Sequence, residues 1–349
     1  MMKDREETNV SGNTQAARNK GMKSGRLINT IKYILANKMG KTRAKLTNNI
    51  RNRLYIKLLI LERLSQKLKR KIRINVLADL RRLYSIEPKS KEIKGAIYQY
   101  VRNNNSKSYG KLQQYIENEC VLVCIIGCNK RKKLLSEAIQ RVLNSEFDGK
   151  VIGIIGSKRM CDWQIEFDDK SGILYLPCGD DYENLTDKIT SMCLAINILN
   201  DKISIIKVDE DVKSIEAKVN VLIESMEKGK YEAAGVKIEV ETILDIDRIW
   251  HIGKTRMRNI GAYQGIGTKQ WLSGGAGYIL KDEAVGLISE FNLHSKEYID
   301  REIYEDLAIS SILNTCERKI YWVERIDELG IHNERTMEIS KTQKAKGGK

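Results

Sequence analysis

Three acidic residues stand directly after an apolar segment near the middle of the chain. The segment ISIIKV, residues 203–208, is typical of a buried strand, and Asp209, Glu210 and Asp211 follow it. The end of such a strand delivers side chains into the crevice where α/β proteins bind ligands, and carboxylates at positions i and i+2 can share one hard divalent cation. A solvated acidic turn is the alternative, so the triplet is a candidate cation site.

A second acidic pair, Glu305 and Asp306, opens the segment EDLAISSIL, which has the pattern of a helix start. Acidic residues in a first turn interact favourably with the helix dipole. If this helix start faces the same crevice, the two carboxyl groups can also meet a ligand there.

Three glycines, Gly274, Gly275 and Gly277, lie in the segment WLSGGAGYIL, residues 271–280. Glycine permits backbone angles that other residues avoid and lets a backbone approach a ligand closely. The alternative is a tight turn before a strand, GYIL.

The elements that must position these residues alternate along the chain. Short apolar runs at 121–128, 150–156, 172–177 and 203–208 predict buried strands, and helical patterns at 132–143 and 185–199 lie between them. This alternation predicts an α/β fold with a mostly parallel sheet and with ligands at the carboxyl ends of its strands.

The composition excludes several classes of protein. The chain has 349 residues, 42% hydrophobic and 31% charged, as a globular protein does, and its densest apolar run, 121–128, is too short to span a bilayer. The seven cysteines are odd in number and lack the paired spacing of a zinc site. The chain begins with polar and acidic residues, unlike a secretory signal. We expect a cytoplasmic protein.

The charge divides the chain into two parts. Residues 1–118 contain 28 Lys and Arg against 8 Asp and Glu, a net charge of +20, whereas the rest of the chain carries −5. We predict a flexible polar lead at 1–23, a basic α-helical region at 24–118, the α/β domain at 119–338 and a flexible basic tail at 339–349. The basic helices suit an anionic membrane surface, nucleic acid phosphates or a simple helical bundle, with nucleic acid the less favoured partner because aromatic residues are few.

Four segments, in order and with matching spacing, resemble the motifs of one enzyme family. Residues 180–188 (DDYENLTDK) resemble D-x-Y-x-N-L-T-x-K, residues 209–211 stand at the D-x-D position, residues 273–278 (SGGAGY) resemble S-G-G-x-G-Y, and residues 305–307 (EDL) resemble E-D-V. These motifs belong to the inverting β-1,3-glycosyltransferases, which include β-1,3-galactosyltransferases, β-1,3-N-acetylglucosaminyltransferases and Fringe proteins. The resemblance covers roughly residues 120–335.

The resemblance implies a GT-A-type αβα sandwich with a mostly parallel sheet, here preceded by the basic helical region. It also implies a nucleotide-sugar donor, usually a UDP-sugar, a bound Mn²⁺ or Mg²⁺, and a glycan or lipid-linked glycan as acceptor. By the same resemblance Asp211 binds the cation directly and Asp209 lies near it and the donor ribose. Glu210 lies beside the donor.

The resemblance assigns Asp306 as the general base that takes the proton of the acceptor hydroxyl. Because an aspartate with its usual pKa of about 3.9 is a weak base, we expect burial or the charge of Glu305 to raise that pKa. Gly274, Gly275 and Gly277 would line the donor and acceptor pocket, and His332, in ELGIHNE, would complete the metal ligands.

The chain departs from the family in two places. Residues 136–143 (SEAIQRVL) lack the family's R-x-A-I-R-x-T-W pattern, and a basic helical region stands where familiar members have a membrane anchor. We expect a cytoplasmic relative whose basic helices reach an anionic membrane. Two other functions remain open: a nucleic-acid-binding or nucleic-acid-modifying protein, and a non-catalytic carbohydrate-binding relative.

Overall fold

The computed structural model describes residue 50 and residues 76–157, 163–242 and 268–334. The polar lead predicted at 1–23, most of the basic helices predicted before residue 76 and the tail predicted at 339–349 lie outside these ranges. Among the described residues, the chain divides into two compact units between Asn104 and Asn105. Nothing in the described ranges is a helix long and apolar enough to cross a membrane.

The described part of the first unit contains two helices, α1 (Val76–Ile86) and α2 (Lys91–Asn104). Pro88 lies between them, at the break that the sequence predicts. The hydroxyl group of Ser90 accepts a hydrogen bond from the backbone N–H of Ile93 at 3.3 Å and so caps the first turn of α2. Both helices bury apolar residues at helical spacing: Leu77, Leu80, Leu83, Tyr84, Ile93, Ala96, Ile97 and Val101.

The second unit is built from strands and helices that mostly alternate. Its helices are α3 (Ser106–Ile116), α4 (Lys132–Leu143), α5 (Leu185–Leu199), α6 (Lys218–Gly229), α7 (Asp282–His294), α8 (Lys296–Arg301) and α9 (Glu305–Thr315). Its strands are β1 (Val121–Ile126), β2 (Lys150–Gly156), β3 (Glu166–Asp168), β4 (Ile173–Leu176), β5 (Ser204–Asp209), β6 (Val212–Ile215), β7 (Ala233–Glu239), β8 (Gln270–Leu272), β9 (Tyr278–Leu280), β10 (Ile320–Val323) and β11 (Ile331–Asn333).

Helix α3 belongs to this second unit, although the sequence places residues 106–118 in the basic region. The side chain of Asn105, just before α3, donates to the carbonyl oxygen of Trp163 at 2.8 Å and accepts from the backbone N–H of Ile165 at 2.7 Å. These two hydrogen bonds tie the start of α3 to the segment that leads into β3.

The main sheet has the strand order β10-β7-β9-β5-β1-β2-β4-β3, with β8 paired to β7. β5, β1, β2 and β4 are neighbours and run parallel, whereas β9 runs antiparallel to β5 and to β7. The four strands predicted from apolar runs are therefore the parallel centre of the sheet. The predicted α/β fold with a mostly parallel sheet is confirmed.

Helices cover both faces of this sheet. On β1, Val123 and Ile125 pack in one apolar cluster with residues of α4 and α6. The alternate residue Cys124 faces the other side, which α5 covers with its own buried thiol, Cys193. Burial raises the pKa of both thiols. The strands are thus enclosed between two helical layers, as an αβα sandwich requires.

Two features of this sandwich matter for the site. The carboxyl ends of β5, β1, β2 and β4 meet at one edge, because Ile126 of β1 is paired with both Asp209 of β5 and Ile154 of β2. A separate two-stranded antiparallel ribbon consists of β6 and β11. Because β6 begins directly after β5, its pairing with β11 brings the segment around His332 near the end of β5.

Candidate functional site

The acidic triplet forms the turn between β5 and β6. Asp209 is the last residue of β5, and Glu210 and Asp211 make the turn that leads into β6. Arg141, from α4, donates from Nη2 to the carbonyl oxygen of Glu210 at 3.0 Å and from Nε to that of Val212 at 2.9 Å. The guanidinium therefore fixes the backbone of the acidic turn. It comes from the helix that lacks the family pattern.

A buried lysine lies behind this turn. The Nζ atom of Lys207 is 2.9 Å from Oδ1 of Asp209, 3.2 Å from Oε1 of Glu305 and 2.9 Å from the carbonyl oxygen of Gly274. It also lies over the ring of Tyr278, 5.4 Å from the ring centre. Burial alone would lower the pKa of Lys207, but the two carboxylates raise it above its usual value, so the ammonium stays charged.

Asp306 stands in the first turn of α9, beside the glycine segment. Its Oδ2 accepts a hydrogen bond from the backbone N–H of Gly274 at 3.2 Å, and its Oδ1 accepts one from its neighbour Leu307 at 2.9 Å. Burial, followed by the charge of Glu305, raises the pKa of Asp306 to about 7, although the two N–H groups and Lys207 oppose the rise. The carboxyl group can therefore take up a proton near neutral pH.

The glycine segment forms a short turn, residues 274–276, at the foot of β9. A Cβ atom on Gly274 would lie 2.7 Å from Oε2 of Glu305, closer than such contacts allow. Gly277 has a φ of +84°, and a Cβ there would lie 2.9 Å from the carbonyl oxygen of Lys207. Both positions therefore need glycine because the turn packs directly on the acidic residues and the lysine.

Glu210 points back toward the amino end of α4. Its Oε1 lies 2.5 Å from Nη1 of Arg131, and its Oε2 is buried with no hydrogen-bond partner among the described residues. Burial raises the pKa of Glu210, while the charge of Arg131 opposes that rise. This carboxyl group is held beside the turn by one exposed arginine.

His332 lies on β11, opposite Ser214 of β6. Its Nε2 is 2.5 Å from Oε1 of Glu216, so the imidazole is bonded to that carboxylate. The next residue, Asn333, donates from Nδ2 to the carbonyl oxygen of Gly275, which is exposed, at 2.7 Å. β11 thus touches the glycine turn through Asn333, whereas His332 is engaged on the ribbon itself.

The predicted metal ligands fit a cation only in part. The carboxylates of Asp209 and Asp211 are the hard oxygen donors that Mg²⁺ and Mn²⁺ favour. Nε2 of His332 is bonded to Glu216, so that ring nitrogen does not join them. Within the described ranges, no three His, Cys, Asp or Glu side chains are grouped so that they could hold a metal ion.

A second buried lysine joins the ends of β1 and β2. Oδ1 of Asp180 accepts hydrogen bonds from Nζ of Lys188 at 2.8 Å and from the backbone N–H of Gly156 at 3.0 Å. Its Oδ2 accepts one from the N–H of Asn129 at 2.6 Å, and Lys188 also donates to the carbonyl oxygen of Gly127 at 2.8 Å. The first and last residues of the DDYENLTDK segment are therefore bonded to each other.

Tyr182, within the same segment, faces the acidic residues. Burial raises the pKa of its phenol, and the charges of Asp306, Glu305 and Asp209 raise it further. The segment that begins with Asp180 and the acidic residues of β5 and α9 therefore border one region at the carboxyl edge of the sheet.

The structure brings together three of the predicted site segments. Asp209, the turn at Gly274 and the start of α9 at Asp306 are linked through Lys207. Sequence reasoning missed Lys207 and Arg141. A lysine inside an otherwise apolar strand was the signal for the first, whereas the contact of Arg141 depends on a backbone 69 residues away.

No family model matches the chain, and no curated protein matches it. Among solved structures, the galactosyltransferase LgtC in complex with donor and acceptor sugar analogs is similar over 58% of this chain and 73% of that chain, at 10% sequence identity and a TM-score of 0.31.

Proposed function

We propose that this chain is a metal-dependent inverting glycosyltransferase. It moves a sugar from a nucleotide-sugar, for which a UDP-sugar is the first candidate, to an acceptor hydroxyl and forms a β-1,3 linkage. The observation that carries the proposal is the linkage of Asp209 to Asp306 through Lys207 and Gly274. Four motifs that resemble one family lie far apart in sequence, and the contacts of Lys207 and Gly274 join three of them.

The proposed base is Asp306. Its pKa of about 7 leaves a large share of the carboxyl groups ionised at neutral pH, yet makes them far more basic than an ordinary aspartate. As the acceptor oxygen bonds to the anomeric carbon, its proton passes to Asp306, and the bond from that carbon to the diphosphate oxygen breaks with its electron pair leaving on the nucleotide. One displacement of this kind inverts the configuration at the sugar.

The residues proposed to hold the cation are Asp209 and Asp211. When bound, Mn²⁺ or Mg²⁺ would offset the negative charge of the departing diphosphate. Arg141 keeps their turn in place through the carbonyl oxygens of Glu210 and Val212. His332, the third proposed ligand, is bonded to Glu216 through Nε2, so its other ring nitrogen, Nδ1, is the one that would bind the cation.

The acceptor and the location are proposed from charge. The net charge of +20 on residues 1–118 supports attraction to an anionic membrane that carries a lipid-linked glycan, on its cytoplasmic face. Each nearby Lys or Arg adds about 1 kcal/mol to such attraction. Binding of the full chain to vesicles with and without anionic lipid, in competition with DNA, distinguishes this partner from nucleic acid.

The deciding experiment measures transfer from UDP-sugars with Mn²⁺, with Mg²⁺ and after chelation. We expect chelation and Asp211→Ala each to lower transfer at least about a hundredfold, as loss of charge stabilisation does. Glu224→Ala removes an exposed acid on α6 and serves as the matched control, with activity unchanged. Transfer that survives both chelation and Asp211→Ala would refute the metal-dependent mechanism.

A binding measurement separates a catalyst from a non-catalytic relative. A ligand that prefers the native state raises the melting temperature, so UDP-sugars with Mn²⁺ should stabilise the wild type. Stabilisation without turnover, equal in Asp306→Asn, would favour a carbohydrate-binding protein.

A further inference from the structure

We propose that Lys207 is a positioning residue that holds the acidic turn, the glycine turn and the start of α9 in one fixed arrangement for the transfer step, an inference that rests on the proposed function.

The ammonium group is satisfied by three acceptors from three separate segments. A lysine ammonium has three N–H donors. The acceptors within reach are Oδ1 of Asp209 at the end of β5, the carbonyl oxygen of Gly274 in the glycine turn and Oε1 of Glu305 at the start of α9. Because each donor has one acceptor, a shift of any of the three segments breaks a charge-assisted hydrogen bond in a buried site.

The same contacts divide the work between the two acidic residues of α9. Glu305 is engaged by Lys207 and also accepts a hydrogen bond from the phenol of Tyr278 at 2.8 Å. Asp306 accepts hydrogen bonds from two backbone N–H groups, and within the described ranges no cationic side chain bonds to it. Lys207 therefore neutralises the first carboxylate and leaves the second to accept a proton.

Glycine at position 274 belongs to this arrangement. Its carbonyl oxygen accepts a hydrogen bond from Lys207 and its N–H donates one to Asp306, so the two backbone polar groups of this one residue connect the lysine to the proposed base. A buried charge is a costly way to join segments, since an apolar residue of similar volume is often neutral or stabilising in its place. A charge is useful here because it fixes carboxylates in chosen positions.

The test compares Lys207→Met with Lys281→Met. Lys281 is the matched control because it is also largely buried, with its Nζ 2.5 Å from Oε1 of Glu227, and it follows β9 at the end away from Lys207. We expect Lys207→Met to lower kcat about a hundredfold with KM for donor and acceptor within about threefold, since misplacement of reacting groups by about 1 Å costs that much. Lys281→Met should keep both constants.

A second readout does not depend on activity. Amide hydrogen exchange reports local opening, so the peptide that covers residues 273–278 should exchange at least about tenfold faster in Lys207→Met than in wild type or Lys281→Met. If Lys207→Met is recovered unfolded, Lys207→Gln is measured instead, because its shorter side chain cannot reach all three acceptors.

The outcomes are distinguishable. If wild type transfers sugar and a folded Lys207 variant keeps kcat within threefold, the positioning role is wrong. A rise in KM alone, with kcat intact, also overturns it. If wild type transfers no sugar under any condition tested, the proposed function fails. Unchanged exchange of 273–278 would then reject the fixing of the turn as well.

Discussion

Lys188 and Lys207 are both buried lysines at the carboxyl edge of the sheet, but the charges around them differ. Lys188 meets one carboxylate, Asp180, whose oxygens also accept two backbone N–H groups. Lys207 meets two carboxylates, and Asp306 lies next to them. The first group is balanced in charge, whereas the second has more negative than positive charges.

Under the proposed function, this difference separates a structural ion pair, Lys188 with Asp180, from the site of the proposed base. In the Lys188–Asp180 pair one positive charge meets one negative charge, and the carboxylate also accepts backbone hydrogen bonds. Such a pair joins segments of the fold and needs no exchange of protons. Burial, and after it the negative charge of Glu305, raises the pKa of Asp306 to about 7, and a carboxyl group that exchanges its proton near neutral pH has the property that a general base needs. Buried lysines therefore mark both regions, and the count of nearby carboxylates tells them apart.

Asp306→Asn should give the largest effect on turnover. Removal of a general base lowers the rate by about 10²- to 10⁴-fold, so kcat should fall by that factor with the fold retained. Asp282→Asn is the control, because Asp282 also stands in the first turn of a helix, α7, and should change kcat less than twofold. Equal kcat values in the two variants would remove the distinction between the acidic groups.

Lys188→Met should give the largest effect on stability. It leaves Asp180 without its buried partner, and breaking such a pair costs about 3–5 kcal/mol. Lys202→Met, at an exposed lysine, should stay within about 0.5 kcal/mol of wild type in urea unfolding. If Lys188→Met lowers the free energy of unfolding no more than Lys202→Met does, the ion pair of Lys188 with Asp180 does not stabilise the fold.

Gly274→Ala should displace the acidic residues around Lys207 without a change of charge. The added Cβ meets Oε2 of Glu305 and displaces Asp306, so kcat should fall up to about a hundredfold. Gly286→Ala, inside α7, finds its nearest atom 3.6 Å away and should be neutral or slightly stabilising. Chemical denaturation and kcat measured on both variants make the comparison.

The pH dependence follows from the raised pKa of Asp306, about 7. In the proposed mechanism Asp306 must lose one proton before it can act as a base, so kcat/KM should rise about tenfold per pH unit up to this pKa and level off above it. The folded chain also binds more protons than the unfolded chain between about pH 4 and 7, so this group makes stability fall as pH rises through that range. Asp306→Asn should remove that slope. An unchanged slope in urea unfolding would contradict the assignment.

Arg131→Ala should give the smallest effect. The arginine is more than half exposed, and ion pairs of that kind contribute about 0–1 kcal/mol. We expect a loss of stability within that range, and less in high salt, because exposed charges are screened. A loss of several kcal/mol would mean that the Glu210 contact works as the buried pairs do.

The sequence predicts the centre of the fold well and its edges poorly. β1, β2, β4 and β5 are continuous runs of β-branched and other apolar residues because they are buried on both faces. β7 mixes polar and apolar residues, and β10 and β11 are only a few residues long, so neither periodicity nor length marks them.

The site follows the same division. The sequence identifies Asp209, the glycines and Asp306 as candidates because they stand at strand and helix ends, where α/β proteins bind their ligands. Partners across long sequence separations need the strand register. His332 meets Glu216 through the pairing of β11 with β6, 116 residues apart, and no spacing in the sequence signals it.

The buried thiols of Cys124 on β1 and Cys193 on α5 give the sandwich an internal reporter. Both side chains have no exposed surface. A thiol reagent can modify them only after the sheet and α5 separate. Their labelling rate in the native protein therefore reports how often the whole domain unfolds.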